Sequence, residues 1–375
     1  MPNTTPLPDL PQASARPPLG VGLIGYGYAG ATLHAPLITT TPGLVLRAVA
    51  SRQADRVRTD LGQAVAVVDA EALLALPAVD IVVIASPNLS HAPLAAAALA
   101  AGKHVVIDKP MALDAAQAQP LLALAAARGL QLSVFHNRRW DGDFLTAQAL
   151  LAGGEAGPLG RLTSAQLHFD RFRPQVRDRW REGDGPGAGL YMDLAPHLID
   201  QALQLFGPPV ALAADIACLR PGGRSPDQFT LQWRGAAGLR VSLSASMLAA
   251  LPGPRFALHG TRGSWVKHGL DGQEDALKAG HRPDPAQPQG WGDDPCHGTL
   301  CTVPDGAAPD AAPLARAWPN QRGRWPAYYA ALRDAVWGLA ANPVPPQQAL
   351  DVMRLMDLGA ESARSGRWLT VHVAD

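Results

Sequence analysis

The chain has 375 residues, 47% hydrophobic and 17% charged, which suits a globular protein with a sizeable core and room for two domains. Lys plus Arg and Asp plus Glu both total 32, so the chain lacks the long-range field that draws a nucleic-acid binder to phosphates. Three cysteines are too few for a disulfide scaffold and point to a reducing compartment, the cytoplasm.

In chain order, residues 1–18 carry six prolines and neither the basic start nor the apolar segment of a signal peptide, so a disordered leader is expected. Apolar runs follow at 21–24, 44–49, 64–68, 81–84, 104–107 and 130–134, separated by alanine-rich segments of helical length such as 90–101 and 114–128. Asp114 reads as an N-cap, and Gly102 and Gly129 sit where C-terminal glycines belong. Strands without period-2 alternation, spaced by helices, make a parallel sheet buried on both faces. The expectation is a doubly wound α/β Rossmann domain over 19–137.

Beyond 137 the pattern changes. A helix at 140–152, a strand at 161–170 and a glycine-rich turn at 183–189 lead into an amphipathic helix at 190–206. Strands then follow one another at 210–219, 228–233, 239–246, 255–259 and 264–267, with few helices between them. That order predicts an α+β domain over 138–375 with a large, open, mostly antiparallel sheet. Its far face needs cover, for which a second subunit is one candidate. Residues 270–323 are dense in proline and read as a structureless lid or pocket wall, before closing helices at 325–341 and 346–365. Within that stretch Cys296 and Cys301 bracket His297, but the set lacks a fourth ligand and tight spacing, so no metal is expected. No stretch offers the roughly 20 apolar residues of a membrane helix.

Gly25-Tyr26-Gly27-Tyr28-Ala29-Gly30 fits G-x-G-x-x-G directly after an apolar strand. The glycines suit a tight turn, close backbone approach to a pyrophosphate, and close packing of helix on strand. The second strand ends in Ser51-Arg52, where an NAD site would carry an Asp or Glu for the ribose. Without that carboxylate, Arg52 can bind a 2′-phosphate with help from Arg56, which favours NADP over NAD. The same residues also read as a serine N-cap and a solvated arginine.

Asp108-Lys109-Pro110 ends the fifth strand, so Lys109 projects from the carboxyl edge of the sheet, where such folds bind ligands. There a lysine can stabilise alkoxide character as hydride leaves. Asp193 and His197 stand four apart on one helix face, with Asp200 seven past Asp193 on the same side. The pair suits proton exchange near neutral pH, though standing alone it reads first as an ordinary helix-surface Asp–His pair.

These residues resemble the Gfo/Idh/MocA family, from about residue 19 to 373. Members typically carry Glu-Lys-Pro; here Asp108 stands for the glutamate and Lys109 and Pro110 match. A glycine turn leading to Asp-x-x-x-His is matched by Gly187, Gly189, Asp193 and His197, with Ala188 and Ala195 in place of glycines. Ser86-Pro87-Asn88 with His91 resembles the segment beside the nicotinamide, and His136-Asn137-Arg138-Arg139-Trp140 the crossover out of the cofactor domain. The stretches 134–141, 169–174, 179–182 and 259–264, followed by Lys267, are similar to the NADP-dependent scyllo-inositol dehydrogenase branch.

The resemblance implies a cyclitol or sugar held between nicotinamide and second-domain helix. Lys109 and His197 would exchange the hydroxyl proton, and Asp193 would orient His197 or the substrate. It also implies a homodimer or homotetramer. Arg171, Arg173, Arg181 and Lys267 are candidate substrate contacts, and read equally as solvated or salt-bridged surface. The competing function is a catalytically silent NADP-dependent sensor or regulatory protein on the same fold.

Overall fold

The Val, Ile and Leu runs at 81–84, 105–107 and 132–135 are buried on both faces, as strands sandwiched between helix layers must be, while the edge run at 66–68 is only partly covered. The structure, a computed structural model, describes residues 16–303, 306, 308 and 311–371, so most of the expected leader lies outside the described residues. β1 (Leu19–Ile24) leads into a helical turn, Gly30–His34, that runs on as α1 (Ala35–Thr39). β2 (Leu44–Ala50), α2 (Ala54–Leu61), β3 (Ala66–Val68), α3 (Ala70–Ala75) and β4 (Ile81–Ile84) follow. α4 (His91–Ala100), β5 (His104–Asp108), α5 (Ala115–Arg128) and β6 (Leu132–Phe135) complete this part.

The six strands are parallel, in the order β3-β2-β1-β4-β5-β6. That order reverses direction between β1 and β4, which opens a crevice at their carboxyl ends. Local chemistry sets the helix ends. Asp114 accepts from Gln117 N at 2.8 Å to start α5, and Gly129 ends it in the left-handed region at φ 62°.

The second half holds α6 (Gly142–Leu151), β7 (Leu162–His168), α7 (Leu190–Phe206), β8 (Ala211–Ala217), β9 (Gln228–Arg234) and β10 (Arg240–Ser246). β11 (Phe256–Gly260), β12 (Gly263–Lys267), α8 (Gln273–Lys278), β13 (Gly298–Thr302) and β14 (Leu314–Trp318) come next. α9 (Pro326–Val336), α10 (Pro346–Ser365) and β15 (Leu369–Thr370) close the chain. Among the described residues nine strands form one sheet, in the order β14-β13-β12-β11-β7-β10-β9-β8-β15. Its paired neighbours run antiparallel except β7 and β10. Alternation now appears: Phe229, Leu231 and Trp233 of β9 point to the buried face, which α7 and α10 cover. Tyr191 of α7 donates to Met356 O of α10 at 2.8 Å, and Gly359 leaves room for that hydroxyl.

The stretch 270–323 is not the structureless loop expected from its prolines. It supplies α8, and then β13 and β14, which extend the sheet beyond β12. Pro313 and Pro319 flank β14 rather than interrupt it, so the prolines bound strands of five residues each without breaking a ladder. Pro304 and Pro309 lie outside the described residues.

Candidate active site

The glycine turn after β1 has three different reasons for its three glycines. Gly25 sits at φ 97°, and a Cβ there would meet Ala85 O at 2.6 Å. A Cβ on Gly30 would collide with Gly25 O, so helix and turn could not close together. A Cβ on Gly27 would meet nothing within 4 Å, so the backbone there faces open space that a ligand can approach. The helical bonds begin with Ala31 N donating to Gly27 O at 3.0 Å, which leaves the earlier N–H groups at the positive end of the helix dipole. A dinucleotide diphosphate fits this cradle. Ala29 packs into the core, whereas Tyr28 is exposed. Tyr26 is buried and donates to Asp60 at 3.3 Å; burial, then Asp60, pushes its hydroxyl up to about 12.

At the end of β2, Ser51 Oγ accepts from Gln53 N at 3.0 Å, a local cap. Arg52 is exposed and its guanidinium has no partner among the described residues. Arg56 is already engaged: it donates to Gln53 Oε1, pairs with Asp60 at 3.6 Å and lies 5.6 Å over the Tyr26 ring.

Beyond β4, Ser86 Oγ shares a hydrogen bond with Ser90, and Pro87 leads into the short turn Asn88–Ser90. Asn88 Nδ2 reaches across to the second half and donates to Gly187 O at 2.9 Å. Both ring nitrogens of His91, which the resemblance sets beside the cofactor, are engaged by backbone carbonyls. The residue is buried, with Nδ1 2.8 Å from Pro110 O and Nε2 2.9 Å from Ser86 O, a strut between the loops after β4 and β5. Burial lowers its pKa, so a neutral ring donates to one of the two carbonyls.

Lys109 follows β5. Its Nζ donates to Asp193 Oδ1 at 2.9 Å and to Asp193 O at 2.7 Å, closing the gap between the first sheet and the start of α7. The same carboxylate accepts from Arg181 at 2.9 Å and from Arg171 at 3.3 Å. Burial alone would raise the Asp193 pKa, but Lys109, Arg181 and Arg171 together hold it well below the usual carboxylate range. Asp193 therefore orients Lys109 and two arginines, and no hydrogen bond joins it to His197. The i, i+4 spacing allowed that pairing, but three cations compete for one carboxylate.

His197 stacks on Phe169 with ring centroids 6.2 Å apart, and its buried Nδ1 has no hydrogen-bond partner. Burial first, then the positive charge of Lys109 and Arg138, keeps its pKa well below the usual value, so the ring is neutral at pH 7. Asp108 lies behind Lys109 and accepts from Lys109 N at 2.9 Å. Burial would raise it, yet His34 at 3.9 Å and Lys109 outweigh burial and bring it to about 2. Asp200 points elsewhere, into a two-pronged pair with Arg139. Asn137 is buried in the crossover turn.

Lys267 does not join this cluster. It is wholly buried, pairs with Asp294 at 3.0 Å and donates to Gly269 O, because a buried ammonium needs every donor answered. Glu274 on α8, by contrast, escaped the sequence reading. It accepts from Tyr28 of the glycine turn at 2.7 Å and pairs with Arg138, whose guanidinium lies 4.9 Å over Phe169 and 5.4 Å over Trp325. The acidic start and basic end of α8 were its only local signal. Among the described residues no group of three or more His, Cys, Asp or Glu could hold a metal. Nor is any helix among them long and apolar enough to cross a membrane.

Two family models match the chain. Residues 19–136 match the Gfo/Idh/MocA oxidoreductase family model with an NAD-binding Rossmann fold, and residues 155–371 that family's C-terminal alpha/beta domain. The chain belongs to the Gfo/Idh/MocA family. Within it, the uncharacterized oxidoreductase YdgJ of Escherichia coli is 50% identical over 346 residues, 92% of this chain and 96% of its own. The scyllo-inositol 2-dehydrogenase (NADP(+)) IolW of Bacillus subtilis is 34% identical over 351 residues, 92% of this chain and 94% of its own. A solved oxidoreductase from Yersinia pestis superposes with a TM-score of 0.88 at 46% identity, covering 96% of this chain and 99% of that one. This Gfo/Idh/MocA protein is thus an oxidoreductase with a fold for a nicotinamide dinucleotide.

Proposed function

We propose that the protein is an NADP-dependent dehydrogenase or reductase acting on a secondary alcohol of a cyclitol or sugar. The observation that supports this best is Lys109 Nζ bound to Asp193 Oδ1 at 2.9 Å, past the carboxyl end of β5 and so on the same edge of the sheet as the glycine turn after β1. The nicotinamide, when bound, supplies the hydride acceptor or donor. In oxidation the substrate carbon loses a hydride and its hydroxyl loses a proton, leaving a carbonyl. The Lys109 ammonium donates a hydrogen bond to the developing alkoxide, and Asp193 keeps that ammonium in place. The hydroxyl proton passes to Lys109 or His197; burial and the positive charge of Lys109 and Arg138 keep the His197 ring neutral, with a nitrogen lone pair free, and oppose its protonation before the substrate reacts. The NADP preference rests on Arg52, a free guanidinium where a ribose-binding carboxylate would otherwise stand, and on the likeness to IolW.

NADPH absorbance is expected to change when the protein meets a member of a polyol and ketose panel. Silence across the panel with NADPH still bound would favour a regulatory protein. NADPH is also expected to bind tighter than NADH, with Arg52→Ala removing roughly tenfold of that preference. A parent protein that prefers NADH would sink the Arg52 argument.

A further inference from the structure

The second half places more positive charge at this site than the reaction uses. Lys109, Arg171 and Arg181 already share the one carboxylate of Asp193. Arg173 stands two residues past Arg171 on the same strand-like segment, and its guanidinium has no partner among the described residues. Its backbone is nonetheless pinned on both sides. Arg173 N donates to Met247 O at 2.7 Å, and Arg173 O accepts from Arg220 at 3.0 Å. Arg220 is itself buried and held by Asp227 and Glu182, each at 3.0 Å.

Two of the nearby carboxylates, Glu182 and Asp170, are committed. Glu182 pairs with Arg179 and Arg220, and Asp170 with His168 and the N–H groups of Ser246 and Gly253. Arg173 is half-buried, and burial, then the charges of Arg171, Arg177 and Arg179, outweigh the opposing charge of Asp193 and disfavour its protonated form. A guanidinium on a held backbone, among more like charges than opposite ones and with no ion pair of its own among the described residues, is relieved by an incoming anion.

We infer that the substrate is an anionic sugar or polyol, whose carboxylate or phosphate is received by Arg173 with Arg171 and Arg181 beside it while the reacting hydroxyl lies at Lys109. This rests on the dehydrogenase reading above and narrows its substrate class.

The test titrates the NADPH-loaded protein by calorimetry with myo-inositol, D-glucose, D-gluconate, D-glucuronate, D-glucose 6-phosphate and myo-inositol 1-phosphate. At least one anionic compound should bind about tenfold or more tighter than its neutral counterpart. The carboxylate and phosphate arms show which anion is preferred. Arg173→Gln should reduce that difference to under about threefold and leave the NADPH Kd within about twofold. Equal or tighter binding of the neutral compounds, or no binding by any anion, overturns the inference. So does a charge preference that survives Arg173→Gln, or a loss of NADPH affinity of the same size, which would assign Arg173 to the cofactor. Turnover assays on the same panel separate the two claims. Neutral polyols turned over without charge preference remove the anion site and keep the dehydrogenase. Anions bound through Arg173 without any redox change of NADP(H) support the site and remove the dehydrogenase.

Discussion

The glycine turn after β1 and the cation cluster around Asp193 are both suited to negative charge, and they are built in opposite ways. The turn works through backbone alone, its parts lying between Gly25 and Gly30 apart from the backbone of Ala85 that packs on Gly25. The cluster works through long side chains, and its contacts to Asp193 span 84, 22 and 12 residues of sequence. One site is a consequence of local sterics. The other exists only when the end of β5, the segment after β7 and the start of α7 come together. The two should therefore fail separately.

The largest expected effect follows from that separation. Lys109→Ala should lower kcat/KM by about 10³ while the NADPH Kd stays within about threefold, as steady-state kinetics and fluorescence titration would show. A matching loss of cofactor affinity would mean that the two regions are one energetic unit.

Substitutions in the turn should behave in reverse. Gly30→Val drives a side chain into Gly25 O and should cost about 2–4 kcal/mol, read as a lower Tm, with NADPH binding lost alongside. Gly27→Ala meets no protein atom within 4 Å, so its stability should change by under about 0.5 kcal/mol while NADPH affinity falls at least about tenfold. Equal destabilisation by both would break the assignment of separate roles to the two glycines.

Acid titrates the second region. Burial keeps His136 at about 4 and His197 well below its usual value, so both stay neutral in the fold where the unfolded chain takes up protons. The unfolded state binds more protons below about pH 6.5. The stability tied to these rings is therefore present above about 6.5 and lost as pH falls towards the folded value of about 4. Asp193 adds a later loss. Its ion pairs contribute fully above its unfolded pKa of about 3.9, and that stability disappears as pH falls through its lower folded value. Tm measured from pH 8 to pH 3 should show both limbs, and Asp193→Asn should flatten only the lower one. Loss of the upper limb in that variant would tie His197 to Asp193 after all.

The smallest effect concerns the bridge between the regions. Glu274→Gln removes the charge that pairs with Arg138 and weakens the bond from Tyr28, so the KM for NADPH should change by about twofold to fivefold, with kcat nearly unchanged. A large drop in kcat would show that α8 positions the chemistry as well as the turn.

The legible parts of the molecule were those with a short sequence range. The apolar runs of the first half could be placed because parallel strands buried on both faces need unbroken apolar side chains. Asp114 and Gly129 could be read as caps because a cap is satisfied within three or four residues. Proline density in 270–323 misled, since strands of five residues fit between prolines and take their partners from β12, far back in the chain. Glu274 and Lys267 exchanged expected importance for the same reason. Nothing near either residue in sequence says whether Tyr28 or Asp294 will face it.

By itself, then, the sequence determined the glycine turn, the alternation that makes a doubly wound sheet, and the chemical types present: one lysine after β5 and an Asp and a His one helical turn apart on α7. Tertiary structure alone decided how they pair. Asp193 is shared by Lys109, Arg171 and Arg181, His197 is left neutral among positive charges, and the Arg173 guanidinium makes no ion pair among the described residues. The reason is physical. A turn is settled by steric exclusion over a few neighbouring bonds, whereas the partner of a charge is settled by whichever opposite charge the fold brings within about 4 Å.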